Sequence, residues 1–188
     1  MAWLTREQIA AMGFAAVGEK VYLSDKASYY RCAAIRIGNH VRVDDFCVLS
    51  AGEGGILLGN YLHIAVYSLL IGAGRIVLSD YCNISSRVAV YSSNDDYSGL
   101  AMTNPMVPAE FTAVTAGDVF LGRHVIIGSG SVILPGVSLG DGVAIGALSL
   151  VKHDCAAFGM YAGVPVRRVR ERKRDLLELE KRLQSRAD

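Results

Sequence analysis

A chain of 188 residues, 52% of them hydrophobic, is long enough to bury one sizeable core and too short to carry a second catalytic domain. Its formal charge of +1 is too balanced for nucleic acid to be the main partner. No signal-peptide pattern opens it, and no apolar run approaches the roughly twenty residues that a bilayer span requires, so a cytoplasmic location is expected. Cys32, Cys47, Cys82 and Cys155 lie far apart with no CxxC pair, which argues against a zinc or redox motif and for reduced, mostly buried thiols. The absence of GxGxxG and of any Gly-Lys dipeptide removes the main support for dinucleotide-binding and P-loop readings.

In chain order, Thr5-Arg6-Glu7-Gln8 is a capping-box pattern, predicting a short helix that ends near Gly13 within an N-terminal helical segment, residues 1–20. An aliphatic residue then falls on every sixth position, in three blocks: Ile37, Val43, Leu49; Leu58, Ile64, Leu70, Ile76; and Leu78, Ile84, Val90. The phase slips across Glu53-Gly54-Gly55 and again between Ile76 and Leu78, as inserted corner loops would cause. From Leu121 the series Ile127, Ile133, Leu139, Ile145, Val151 runs without a break. Six is neither the period of a helix nor that of a simple strand. It fits one short strand plus a turn, with three such sides closing a triangular coil of roughly eighteen residues, stacked about 4.8 Å above the last. The aliphatic residues point inward, and Gly, Ser and Ala suit the tight corners. A sandwich or barrel of short strands is disfavoured by so strict a period. A β-helix domain over 21–166 is therefore expected.

Between Val90 and Val119 the rhythm stops. The segment 92–118 is polar and proline-punctuated, containing Asn94-Asp95-Asp96 and Met102-Thr103-Asn104-Pro105. Loops beyond about 12–15 residues without their own secondary structure tend to be functional. After the last hexad comes Tyr161-Ala162-Gly163-Val164-Pro165-Val166-Arg167-Arg168, then Leu176, Leu179 and Leu183 at helical spacing, predicting an amphipathic helix over Arg167–Ala187. Residues 167–188 hold nine Lys or Arg against five Asp or Glu, so the rest of the chain is slightly acidic.

Over about residues 20–170 this pattern resembles the hexapeptide-repeat acyltransferases. The resemblance implies an all-β fold, a left-handed parallel β-helix with a protruding loop and a C-terminal helix. It also implies a homotrimer whose sites lie between subunits, with the loop reaching over the cleft. Many sugar O-acetyltransferases of the family carry a histidine on that loop as general base. Here Asn94, Asp95 and Asp96 stand in its place, and His40, His63, His124 and His153 lie elsewhere.

Chemistry makes use of that difference. A sugar hydroxyl needs a base with a pKa near the working pH, and an ordinary aspartate near 3.9 is a poor match. An amine is already a competent nucleophile when neutral, and a carboxylate holds it and takes up its proton. The local pattern also resembles nucleotide-amino-sugar N-acyltransferases of the anthrose-pathway type, in which a serine about ten residues before an acidic loop residue contributes to the site. Ser85 and Asp95 stand at that separation. The resemblance implies Asp95 as proton acceptor, Asp96 or Asn94 orienting the nucleophile, and Ser85 supplying a hydrogen bond. The acidic triplet is also explained by a turn that caps itself.

The co-substrate implied is acetyl-CoA or another acyl-CoA. Ser129, Ala147 and Gly163 match the corner positions that border the pantetheine arm, and Lys152, Arg167 and Arg170 match the nucleotide phosphates. The expected reaction moves a short acyl group onto the amine of a nucleotide-linked deoxysugar. The alternative is O-acetylation with His63 as base. A zinc enzyme of the anhydrase branch would need three histidine ligands, and His63, His124 and His153 provide no recognisable set, so no metal is expected. A non-catalytic scaffold is the remaining reading.

Overall fold

The computed structural model of the chain describes residues 2–186. Its hexads form short parallel strands stacked into sheets of six, eight and six strands, which make the three faces of a triangular prism. On the first face Ile35–Ile37 pairs with Ile56–Leu58 and that with Ile76–Leu78. Val41–Val43, Leu62–Ile64 and Asn83–Ile84 follow on the second face, and Val48–Ala51, Leu69–Gly72 and Ala89–Tyr91 on the third. In-register pairing stacks like on like. Val43, Ile64, Ile84, Ile127 and Ile145 form one inward column, Leu49, Leu70, Val90, Ile133 and Val151 another, all buried. Each such side chain contributes roughly 1.5–3 kcal/mol on leaving water.

Ile76 does not continue the Leu58–Ile64–Leu70 series. It lies opposite Ile56, two residues before Leu78, and it is Leu78 that occupies the column of Ile37 and Leu58. Both ends of these first-face strands are buried, so an extra apolar residue mimics a continued period. The phase slips have one cause. Residues 31–34, 52–55, 72–75 and 92–118 all leave the coil at the corner between the third and first faces. Beyond Ile133 that corner closes without insertion, which is why the last series is unbroken.

The N-terminal expectation holds in its cap. Helix α1 (Arg6–Ala11) starts with a reciprocal capping box between Thr5 and Gln8, and Gly13 follows at φ +70°. Ala16–Val17 already belongs to the first face, so strand pairing begins inside the segment expected to be helical.

The C-terminal expectation needs correction. Arg167–Glu171 is a strand, antiparallel to Gly159–Ala162, and helix α2 spans only Leu176–Gln184. Ala187 lies outside the described residues. All five residues of that strand are exposed, so its charges carry no helical stripe and the edge it covers is what fixes its conformation. α2 is then anchored through Glu180, which pairs with Arg123 and accepts from His124 Nε2 at 2.7 Å.

His124 is therefore covered rather than exposed. It ends a ladder of corner rings, His40, Tyr61, Tyr81 and His124, stacked at 4.4, 5.1 and 4.7 Å. The four cysteines are free. Burial pushes the Cys47 thiol up to about 11 and Cys82 up to about 12, which keeps both protonated and unreactive at neutral pH. No helix among the described residues is long and apolar enough to cross a membrane.

Candidate active site

The acidic triplet stands at the base of the protruding loop. Ser93–Asn94 pairs antiparallel with Thr115–Ala116, pinching the loop where it leaves the third face. Beside this hairpin lies a cleft of about 480 Å³ lined by Tyr91, Asn94, Asp95, Tyr97, Val132 and Leu134 among others. The two acids differ in employment. Asp96 accepts from the Ser98 hydroxyl at 2.7 Å and from the amides of Ser98, Gly99 and Ala101 at 3.0, 3.0 and 3.1 Å. The Ser98 hydroxyl, followed by those amides, lowers its carboxyl to about 2. Asp96 therefore folds the loop. Asp95 is exposed on the cleft, and its carboxylate takes no hydrogen bond or ion pair among the described residues. Asn94 lends its backbone to the hairpin, its carbonyl accepting from Thr115 Oγ1 at 3.4 Å.

Ser85 stands elsewhere, at the corner between the second and third faces. Its amide donates to Ile127 O at 3.0 Å, and its carbonyl accepts at 2.9 Å from Ser68 Oγ, a fully buried hydroxyl that also accepts from the Val88 amide. Two anchors thus fix the turn that presents Ser85. Strand Ala89–Tyr91 alone, at about 3.3 Å per residue, keeps Ser85 roughly 10 Å or more from Asp95 within one chain. They lie on opposite edges of the third face.

Ser129, Ala147 and Gly163 line up along the same corner as Ser85, in successive coils toward the C-terminus, and all three are exposed. Leu148 N donates to Ser129 O and Leu150 N to Gly163 O, which fixes the spacing of the steps. The amides of Ser129 and Ala147 take no partner among the described residues, leaving outward-facing donors along a strip of small side chains. Ser131 and Ser149, both buried, donate to Gly146 O from beneath at 2.9 and 2.8 Å. Arg167 and Arg170 face this end from the edge strand, opposite Ala162 and Met160. Lys152 does not join them: it follows Val151 at the far end of the third face, beside Leu134 of the loop cleft.

His63 points outward from the second face and is tied by Nε2 to Asp44 Oδ2 at 2.9 Å. Burial pushes the Asp44 carboxyl up, but hydrogen bonds and charge from Arg42 and His63 outweigh it and hold it below its ordinary value. The sequence reading missed Asp44, whose only signal is its place just past an inward valine at the end of a second-face strand. It also missed the serine props, whose signal is a small polar residue recurring at the coil interval in Ser68, Ser131 and Ser149.

Residues 118–153 match the family model described as bacterial transferase hexapeptide (six repeats). Over 180 residues the chain is 59% identical to the dTDP-4-amino-4,6-dideoxy-D-glucose acyltransferase of Escherichia coli, covering 96% of this chain and 94% of that one. The chain belongs to the hexapeptide-repeat acyltransferases. Among solved structures of the family, AntD, an N-acyltransferase from Bacillus cereus, superposes with a TM-score of 0.94 at 44% identity. One AntD structure, an aspartate-to-asparagine variant with dTDP and coenzyme A, covers 98% of this chain and 99% of its own. Another, a serine-to-alanine variant with dTDP-4-amino-4,6-dideoxyglucose and coenzyme A, covers 98% of each. The serine and aspartate replaced in those hexapeptide-repeat enzymes are ten positions apart.

Proposed function

We propose that this chain transfers an acyl group from an acyl-coenzyme A to the 4-amino group of a dTDP-linked 4-amino-4,6-dideoxy sugar. The observation that carries the reading is the loop carboxylate of Asp95, unpaired in an open cleft where an imidazole would be needed for a hydroxyl acceptor. The high identity to a dTDP-amino-sugar acyltransferase along nearly the whole chain supports the same acceptor. His63 is committed to the buried Asp44 carboxylate, which removes the support for O-acetylation with His63 as base. Free cysteines across the chain fit a reducing compartment, and we place the reaction in the cytoplasm.

The site is completed between subunits. Outward residues of the third face are Val48, Leu69, Ile71, Ala89, Val132, Leu134 and Leu150, a far more apolar set than the Arg42, His63, Asn83 of the second face. Three such faces packed around a threefold axis set the starting edge of each against the finishing edge of the next. Ser85 of one chain then meets the partner subunit's Asp95. The outward amides of Ser129 and Ala147 and the small residues around them fit the extended arm of coenzyme A, and Arg167 and Arg170 fit its phosphates. Asp95 holds the amine and receives its proton as nitrogen attacks the thioester carbonyl, while an amide near Ser129 donates to the oxyanion. The thiolate leaves and the tetrahedral centre collapses to an amide.

The test is acyl transfer to dTDP-4-amino-4,6-dideoxyglucose, followed by free thiol release, with the 4-hydroxy counterpart alongside. Amide formation with no ester is expected; brisk esterification with no amide would reject the reading. Leu69→Asp, placed outward on the third face, is expected to give a 20.1 kDa monomer by light scattering, without activity. An intact, active trimer would show that another face forms the interface.

A further inference from the structure

The corner that carries Ser85 continues below it into coils that the donor does not use. We propose that this N-terminal half of the corner binds the nucleoside diphosphate of the acceptor, with Arg87 on the phosphates and the ring edges of Phe46 and Tyr67 against the base. The inference rests on the acceptor class proposed above. Ser129, Ala147 and Gly163 occupy the coils on the C-terminal side of Ser85, and the reacting nitrogen sits at Ser85. An acceptor whose amine is there must extend the other way. Coils are about 4.8 Å apart, so phosphates attached across the sugar ring fall one to two coils down and the base beyond them.

That stretch holds the matching chemistry. Phe46, Tyr67 and Arg87 occupy equivalent corner positions in successive coils, at φ +61°, +62° and +60°. Phe46 and Tyr67 are stacked at 5.0 Å and 16°, yet remain 47% and 50% exposed. Lys26 closes the lower face of Phe46, so the open part of the pair is its row of ring edges, which favours contact with the π face of a base. Arg87 is exposed beside Ser85 and Ser86 and makes no ion pair among the described residues. Carboxylates nearby do not oppose an anion strongly. Asp45 is engaged by the Ser24 hydroxyl at 2.5 Å and by Lys26 at 3.9 Å, and Asp44 is buried between Arg42 and His63.

Calorimetry with dTDP as probe tests the assignment, using Arg87→Asn and Tyr67→Asn because asparagine tolerates positive φ. Removing a charged hydrogen bond weakens binding by roughly 10- to 100-fold. Each variant is expected to lose at least about tenfold in dTDP affinity, with a matching rise in acceptor KM and coenzyme A affinity within about twofold of wild type. Unchanged coenzyme A binding shows that the corner remains folded. Two variants that bind dTDP as wild type does, or a wild-type chain that does not bind dTDP, overturn the subsite. Normal amide formation with unmoved dTDP affinity rejects this inference alone. Wild-type dTDP binding that the variants lose, without acyl transfer to the amine, rejects the proposed reaction alone.

Discussion

Asp95→Asn is expected to lower kcat for the amine acceptor by about 10²- to 10⁴-fold, the span that a positioned general base contributes. Asparagine retains an oxygen to accept a hydrogen bond from the amine, so acceptor KM should move little, but it has no site for the proton that nitrogen sheds. Coenzyme A affinity and oligomeric state should be unchanged, because Asp95 stands on the loop and away from the strip of Ser129 and Ala147. The same substitution at Asp96 works differently. Four hydrogen bonds end on that carboxylate, so its loss should loosen the loop and raise acceptor KM more than it lowers kcat. Steady-state kinetics on the two variants separate the roles. Turnover of Asp95→Asn within about threefold of wild type would remove it from proton transfer.

The second large effect is on stability. A Cβ at Gly128 would stand 2.4 Å from the Ala147 amide nitrogen and 2.7 Å from the Gly146 carbonyl carbon. Both are backbone atoms of the next coil, and neither can rotate aside. Gly128→Ala must therefore spread two coils and strain the bond from Gly128 N to Ile145 O, now 2.8 Å. Overpacking of this kind costs about 3 kcal/mol or more. In a chain of this size that lowers Tm by roughly 6–12 °C, readable by circular dichroism. Gly136 is the contrast: it needs its φ of +79° but has open space around it. Gly136→Asn should shift Tm by only about 2 °C, since asparagine adopts that conformation at small cost. Equal losses at both sites would mean that coil spacing does not limit stability.

The prism was legible because its interior imposes the same steric demand at every coil, and Leu121 to Val151 repeats that demand without interruption. The edge strand Arg167–Glu171 was not, because no buried face disciplines its sequence and its charges suit helix or strand alike. The corner ladder of His40, Tyr61, Tyr81 and His124 escaped for a related reason. These residues point outward in a left-handed conformation that aromatic side chains rarely adopt, and periodicity of inward positions says nothing of them. At the site, loop composition identified the chemistry, since carboxylates in place of an imidazole select the nucleophile. The spacing of Ser85 and Asp95 did not reveal that they flank a whole face. A linear separation of ten carries no record of which edge each one reaches.

All excess chain in this molecule is shed at one edge of the prism, at 31–34, 52–55, 72–75 and 92–118, while the coils beyond Ile133 run bare. Donor handling and acceptor choice are thereby housed in physically separable regions. Lengthening or exchanging the great loop leaves every strand pairing and every small corner residue of the bare coils untouched. A new amine could be recruited by swapping that single excursion, with the thioester still delivered along an unaltered track.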